Sequence, residues 1–255
     1  VNIITIIINE QGVYNMSGHS KWATIHRKKG LIDAERGKVF QKLAKEIYVA
    51  AKGTNGDPDA NPSLRMVIEK CRSQNMPKDN IQKAIDKAVG SAGGEEYENV
   101  RYEGYGPAGI AFMVDCLTDN RNRTAMLVRT ALTKKGGNLG TDGSVSYMFE
   151  RRGVIVVDKT VDEDELMMTV LDNGAIDFIV NDDTYEIYTT PDTFLKVKEA
   201  MEIMGIKDFL TSEITYVASN QIEVADEETK EKIYNLIDAL EDIDDVQDVY
   251  HNLSE

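Results

Sequence analysis

The spacing of apolar residues changes beyond Gly90, and this change most constrains what the chain can fold into. Up to that point apolar residues recur every three or four positions, as on the buried stripe of an amphipathic helix. After the linker Ser91–Asn99 they alternate every second position in short segments separated by helical stretches, which is typical of β-strands. The sequence therefore predicts a helical unit followed by a larger mixed α and β part.

Three amphipathic helices are predicted in the first part. The first runs from Ala34 to Lys52, Asn61-Pro62 gives the start signal of the second, and Pro77 opens a third that ends at Gly90. The first helix has an apolar face of Phe40, Ala44, Ile47 and Ala51, and an opposite face of Lys38, Lys42, Lys45 and Lys52. Together the three helices predict a small bundle.

The second part alternates strands and helices in the split βαβ manner, which predicts an α+β fold with two units. Strands are expected at Ile110–Leu117, 145–149, Val154–Val157, Phe178–Val180, Tyr185–Tyr188, Ile214–Ala218 and Val246–Tyr250. Helices are expected at Asn122–Lys135, after Asp162, after Pro191 and at Asp226–Leu240.

Charge is sorted by position along the chain. From Met16 to Gly90 there are 15 Lys and Arg against 8 Asp and Glu, whereas from Ser91 to Glu255 there are 14 against 35, within a total charge of −15. Such a basic end on an acidic protein favours a polyanionic partner for that end. Ordinary solvation of lysine-rich helices is the alternative interpretation.

The basic end supplies the candidate nucleic-acid-binding residues. They are His19, Lys21, Trp22, His26, Arg27, Lys28 and Lys29 in a flexible tail, and Arg36, Lys38, Lys42 and Lys45 on the first helix. Cations neutralise phosphates, while Trp or His can stack on an unpaired base. A secondary basic cluster, Arg121, Arg123, Lys134 and Lys135, lies at the two ends of one helix, where surface charge matched to the helix dipole is an alternative explanation.

No catalytic or metal site is predicted. Gly104–Gly109 fits GxGxxG but precedes a strand instead of following one, so it predicts a turn, and Gly136–Gly140 predicts a helix C-cap and loop. The three histidines, His19, His26 and His251, are scattered. The acidic run 162–165 suits a helix N-terminus, and Asp242, Asp244, Asp245 and Asp248 lack the glycine and glutamate of a calcium loop. We therefore expect no enzymatic activity, no metal and no cofactor.

The remaining features bear on location. Cys71 and Cys116 are too far apart in sequence for a disulfide framework, and we expect both to be buried as small apolar residues in a reducing cytoplasm. The apolar start of Val1–Asn15 is too short to span a bilayer, so no membrane partner is predicted. We expect residues 1–15 to be an upstream leader outside the fold, with Met16 as the initiator, and the protein to be a monomer.

Many blocks of the sequence resemble the YebC/PmpR family. They are Met16–Trp22, Asp33–Phe40, Gly56–Pro58 with Asn61-Pro62, Asn75–Ile81, Tyr102–Pro107, Cys116–Thr124, Gly136–Gly140, Met148–Glu150, Asp245–Gln247 and Val249–Asn252. The resemblance implies an N-terminal three-helix bundle followed by two ferredoxin-like α/β domains, one inserted in the other. The implied boundaries are a tail at 16–33, the bundle at 34–92, a discontinuous domain at 93–150 plus 210–255, and an inserted domain at 151–209.

The resemblance also implies a non-enzymatic, nucleic-acid-binding regulator of gene expression. Members of the family are described as DNA-binding transcriptional regulators, and others act in translation on the ribosome, relieving stalling at proline-rich runs. The partner is therefore promoter DNA or ribosomal RNA, and the basic tail suits either polyanion. An enzyme or small-molecule sensor built on a groove between the α/β units is a third class.

Overall fold

The bundle forms as the sequence predicts. In a computed structural model, which describes residues 37–90, 94 and 96–254, helix α1 covers 37–51, α2 covers Pro62–Ser73 and α3 covers Lys78–Gly90. The Asn61 side chain caps α2 by accepting a hydrogen bond from the Leu64 N–H, at 3.1 Å. The three apolar stripes meet in one core that includes Leu43, Ile47, Leu64, Ile68, Cys71, Ile81 and Ile85.

The mixed part contains eight strands and four helices. In chain order they are β1 (Glu98–Tyr105), β2 (Ala111–Thr118), α4 (Arg121–Lys134), β3 (Asn138–Leu139), β4 (Phe149–Asp158), α5 (Glu163–Asp172), β5 (Ala175–Val180), β6 (Thr184–Thr189), α6 (Phe194–Ile203), β7 (Thr211–Ala218), α7 (Glu227–Glu241) and β8 (Val246–His251).

These strands form two antiparallel four-stranded sheets. The first sheet has the order β3-β1-β2-β8, and α4 and α7 pack on it around Phe112, Val128 and Leu236. The second has the order β5-β6-β4-β7, with α5 and α6 packed around Ile155 and Ile187. The predicted α+β class, a helical bundle followed by two ferredoxin-like α/β units, is confirmed.

One strand belongs to a different sheet from the one predicted. The boundaries implied by the resemblance place Ile214–Ala218 in the discontinuous domain 93–150 plus 210–255, but β7 pairs with β4 along its whole length, from Phe149↔Ala218 to Val156↔Thr211. The second sheet needs this fourth strand to cover the edge of β4 that faces away from β6. The chain therefore returns to the first sheet only after β7.

Two local predictions also differ from the structure. Strand β1 was not predicted, because only Val100 and Tyr102 alternate before Gly104 interrupts the pattern. The predicted strand at 145–149 is wrong: Ser146–Met148 forms a 3-10 turn, and β4 begins at Phe149. The buried carboxylate of Glu103 accepts hydrogen bonds from the backbone N–H groups of Val145 and Ser146, so these groups do not join a β-ladder.

Candidate nucleic-acid interface

The whole predicted basic tail, together with Arg36 of the predicted first helix, lies outside the part of the chain that the structure describes. This applies to His19, Lys21, Trp22, His26, Arg27, Lys28, Lys29 and Arg36. Their role in binding phosphates stays a prediction.

Three of the four lysines of the predicted face, Lys38, Lys42 and Lys45, lie against an acidic segment of the same chain, residues 241–245; the fourth, Lys52, donates to the Gly94 carbonyl oxygen at 3.3 Å. Lys38 Nζ is 2.7 Å from a carboxylate oxygen of Asp242. Lys42 Nζ donates to the carbonyl oxygen of Glu241 at 2.6 Å, and Lys45 Nζ donates to that of Asp244 at 2.9 Å. Because α7 ends at Glu241, the carbonyl of that residue carries partial negative charge that favours the ammonium group of Lys42. The lysine face therefore helps to join the bundle to the first sheet.

Asp245 is the most connected residue of the acidic segment. Its carboxylate, which is only 5% exposed, accepts hydrogen bonds from Arg123 at 2.6 Å, Thr124 Oγ1 at 2.8 Å and Lys45 Nζ at 3.1 Å. Burial opposes ionisation, but the bonds from Arg123, Thr124 and Lys45 outweigh it and lower the pKa of Asp245. Three elements, α1, α4 and the loop before β8, thus meet at one ionised carboxylate.

Arg123 consequently differs from the other members of the secondary basic cluster. Its guanidinium bonds to both Asp119, at 2.7 Å, and Asp245. Arg123 is still 42% exposed, and the side chains of Arg121, Lys134 and Lys135 are exposed as well. Arg123 therefore links α4 to the loop after α7, whereas Arg121 and the two lysines lie at opposite ends of α4.

Helix α4 has a cationic surface that includes one residue beyond the predicted secondary cluster. Arg129 is exposed on the same helix, and the 14 residues of α4 include no Asp or Glu. We define the cationic surface of α4 as the exposed residues Arg121, Arg129 and Lys134 of the helix and Lys135 at its C-cap, which are spread around the helix instead of sharing one face; Arg123 is left out because it pairs with Asp119 and Asp245. Met126 is 62% exposed between them. Arg129 could have been identified from the sequence, because α4 is a stretch without Asp or Glu inside the acidic part of the chain.

The loop that follows β3 is held by a buried carboxylate. Glu103, on β1, is 6% exposed and accepts hydrogen bonds from the backbone N–H groups of Gly143, Val145 and Ser146 at 2.9, 2.7 and 2.8 Å. Burial alone would raise the pKa of Glu103, but these three donors outweigh it and lower the pKa.

This bracing leaves one aromatic side chain in solvent. Tyr147 is 70% exposed, next to residues that Glu103 holds in place. The Tyr105 hydroxyl also donates to the Ser144 carbonyl at 3.0 Å, so the loop is tied to β1 at two places. The arrangement offers a flat ring on an ordered loop, which can stack on another flat group.

The remaining candidate sites have structural roles. Pro107–Gly109 forms a 3-10 turn between β1 and β2, which confirms the predicted turn. Both cysteines are buried and free, as predicted, and burial raises the pKa of Cys71 to about 11.

Within the described ranges there is no group of three or more His, Cys, Asp or Glu that could hold a metal ion. In the same part of the chain no helix is long and apolar enough to cross a bilayer.

Comparison with known proteins identifies two family matches that together cover most of the chain. Residues 20–91 match the model described as the TACO1/YebC protein N-terminal domain, and residues 97–253 match the one described as the TACO1/YebC second and third domain. These matches confirm the resemblance drawn from the sequence blocks.

Individual relatives agree over nearly their full length. A probable transcriptional regulatory protein of Geobacillus thermodenitrificans is 54% identical over 243 residues, which is 94% of this chain and 98% of that protein. The probable transcriptional regulatory protein YrbC of Bacillus subtilis is 51% identical over 240 residues, 93% of this chain and 99% of its own. The crystal structure of a conserved hypothetical protein from Aquifex aeolicus, 45% identical, superposes with a TM-score of 0.75 over 87% of this chain and 91% of that one.

Proposed function

The chain belongs to the TACO1/YebC family, and from this premise we propose that it is a cytoplasmic regulator of gene expression that binds nucleic acid and catalyses no reaction. The finer form of the proposal is a DNA-binding transcriptional regulatory protein. The names of its relatives, probable transcriptional regulatory proteins, support a regulator.

The observation that carries nucleic-acid binding is the cationic surface of α4. A helix of 14 residues is about 21 Å long, enough to follow several phosphates of a duplex groove. The part of the chain from Ser91 onward has 35 acidic residues against 14 basic ones, and it repels polyanions at most orientations. The four cations have no acidic residue on the same helix. Together with the basic tail, they therefore set the orientation in which a polyanion approaches the protein.

Salt dependence of binding tests this surface. Fluorescence anisotropy would compare wild type with the triple variant Arg121→Ala/Arg129→Ala/Lys134→Ala on promoter duplex and on random duplex. Loss of three phosphate contacts reduces the slope of log affinity against log salt by about 2–3. The matched control neutralises three exposed lysines elsewhere, Lys83, Lys196 and Lys207, and should leave the slope unchanged.

Two results would contradict the transcriptional form. An unchanged slope of log affinity against log salt in the α4 variant would show that α4 is not part of the interface. Promoter binding no tighter than binding to random duplex at physiological salt would leave the protein without the specificity that a transcriptional regulator needs.

A ribosome-associated translation factor that binds ribosomal RNA and relieves stalling at proline-rich runs is the second candidate. It is favoured by Tyr147, because an exposed aromatic ring on a braced loop suits unstacked bases, which occur in irregular RNA more than in duplex DNA. Sucrose-gradient sedimentation and reporters with proline runs test it. Absence from ribosomal fractions at low salt, with unchanged reporter translation on gene deletion, would exclude this function.

A further inference from the structure

The unit built on the second sheet has an unusual share of the exposed apolar side chains. Eleven large apolar residues are exposed in the part of the chain that the structure describes, and six of them lie between Met168 and Ile203. Contiguous exposed apolar surface on a soluble protein commonly marks a site of interaction. The clustering therefore directs attention to this unit.

Four of the six lie on the two helices that cover the second sheet. Met168 and Leu171 on α5 are 65% and 47% exposed, and Leu195 and Ile203 on α6 are 64% and 87% exposed. The opposite faces of both helices supply the core of the unit, so these four side chains point away from the sheet. We call the four residues the outer apolar patch.

The two helices lie side by side and run in opposite directions, because they follow the antiparallel strands β4 and β6. Just after the end of α5, the Gly174 carbonyl oxygen accepts a hydrogen bond from the Thr193 hydroxyl, which directly precedes α6, at 2.9 Å. This contact places Leu171 and Leu195 at the same end of the helix pair. Each helix has ten residues, so the patch extends along about 15 Å of helix.

The same helices are also rich in methionine. Of the ten methionines in the chain, Met167 and Met168 lie on α5, Met201 lies on α6 and Met204 is its C-cap. Met201 belongs to the core, whereas the other three are exposed or half-buried. Flexible thioether side chains adapt to the shape of a partner and are common on surfaces that bind apolar helices.

The rim of the patch is acidic. Seven carboxylate side chains on the two helices or next to them are exposed, namely Glu163, Asp164, Glu165, Asp172, Asp192, Glu199 and Glu202. Among the described residues, none of the seven forms an ion pair. Residues 158–208 contain 14 Asp and Glu against 4 Lys and no Arg. The patch is therefore surrounded by negative charge that the chain itself does not neutralise.

This charge distinguishes between the possible occupants of the patch. A second copy of the chain would bring two acidic rims together, and nucleic acid or an anionic lipid surface would bring phosphates to the rim, so each of these is repelled. A helix with apolar residues on one face and Lys or Arg beside them matches both the patch and the rim. Such helices bind to apolar helix surfaces through anchors spaced three or four residues apart.

We propose that the outer apolar patch binds a basic amphipathic helix of a partner protein. The apolar anchors of that helix contact Met168, Leu171, Leu195 and Ile203, while its flanking cations pair with the acidic rim. This inference goes beyond regulation of gene expression. It does not depend on nucleic-acid binding, because the cationic surface of α4 packs on the first sheet and the patch lies over the second.

Fluorescence anisotropy of a labelled peptide, titrated with the full chain in the absence of nucleic acid, tests the proposal. The probe is a peptide of leucine and lysine arranged as one amphipathic helix of about four turns. We expect one-to-one binding that weakens as salt is added, because the rim charges are exposed. The same peptide with glutamate in place of lysine should bind at least about tenfold more weakly.

Variants separate the patch from the general acidity of the protein. Leu195→Ser/Ile203→Ser removes two apolar contacts and should weaken binding of the lysine peptide by at least about tenfold. The matched control, Met66→Ser/Met126→Ser, changes two residues that are 59% and 62% exposed on other helices and should bind as wild type does. All four side chains are exposed, so both variants should unfold near the temperature of wild type.

Several results would overturn the proposal. They are absence of lysine-peptide binding up to millimolar concentration, equal binding of the lysine and glutamate peptides, and wild-type affinity in Leu195→Ser/Ile203→Ser. Sedimentation velocity provides a further test: a dimer that this variant abolishes would assign the patch to a second copy of the chain instead of a basic partner.

Discussion

Lys45 and Asp245 are 200 residues apart in sequence, yet the ammonium nitrogen of one lies 3.1 Å from a carboxylate oxygen of the other. The same carboxylate accepts from Arg123 and Thr124 on α4. The contact joins the helical bundle to the first sheet through a charge that is almost completely buried. Removing that charge should therefore lower the free energy of unfolding more than removing any exposed carboxylate of the acidic segment does.

Asp245→Asn tests this difference. It leaves Arg123 and Lys45 without their shared anion, and hydrogen bonds to charged groups typically contribute more than neutral ones, so we expect a loss of about 2 kcal/mol in the free energy of unfolding. The matched control is Asp242→Asn, whose partner Lys38 is 47% exposed. An exposed pair contributes less than about 1 kcal/mol. Urea unfolding measures both, and equal losses in the two variants would contradict the special role of Asp245.

The stabilisation from Glu103 should depend on pH. Because the folded-state pKa of Glu103 lies below its ordinary value, its contribution is fully present above that value and is lost as the pH falls through the folded pKa. The difference in unfolding free energy between wild type and Glu103→Gln should therefore be constant near neutrality and shrink in acid, below a pH of about 4.

Denaturant unfolding at a series of pH values measures this difference. Glu98→Gln, at an exposed position of the same strand, is the control and should show little difference from wild type at any pH. A Glu103→Gln difference that grows as the pH falls would mean that the carboxylate is not held ionised by the loop N–H groups.

The helices of this protein were predictable because their signals are local. Asn61-Pro62 begins α2, and the N-cap carboxylates Asp162 and Asp226 begin α5 and α7, each accepting a backbone hydrogen bond three residues on. The buried cysteines also followed from composition and spacing. Such features depend on neighbouring residues in the chain, so a single sequence contains the required information.

The features that sequence missed depend on residues far apart in the chain. Whether β7 joins the first or the second sheet depends on its pairing with β4, more than 50 residues earlier, and no local pattern specifies that choice. The turn at Ser146–Met148 follows from Glu103, which lies 43 residues before Ser146. The sequence likewise did not indicate that the lysine face of α1 is paired, because its acidic partners lie about 200 residues later in the chain.

The basic tail should contribute to phosphate binding without contributing to the fold. Neutralising Arg27, Lys28 and Lys29 together removes up to three phosphate contacts, so the slope of log affinity against log salt should shrink by about 2–3 for duplex DNA. None of the three lies on an apolar stripe, and the unfolding temperature should stay that of wild type. An unchanged slope in fluorescence anisotropy would assign the tail to ordinary solvated chain and leave the cationic surface of α4 as the candidate interface.

Tyr147 should distinguish the two candidate nucleic acids. If its exposed ring stacks on an unpaired base, Tyr147→Ala should weaken binding to single-stranded RNA by about 1–3 kcal/mol, while binding to duplex DNA, whose bases are already stacked, should not change. Tyr147→Phe is the matched control, because it keeps the ring and loses only the hydroxyl, and it should bind RNA almost as wild type does. Anisotropy titrations of both variants on both probes provide the measurement. Equal losses on RNA and duplex in Tyr147→Ala would point to a disturbed loop instead of a lost stack, and the case for unpaired RNA would then fail.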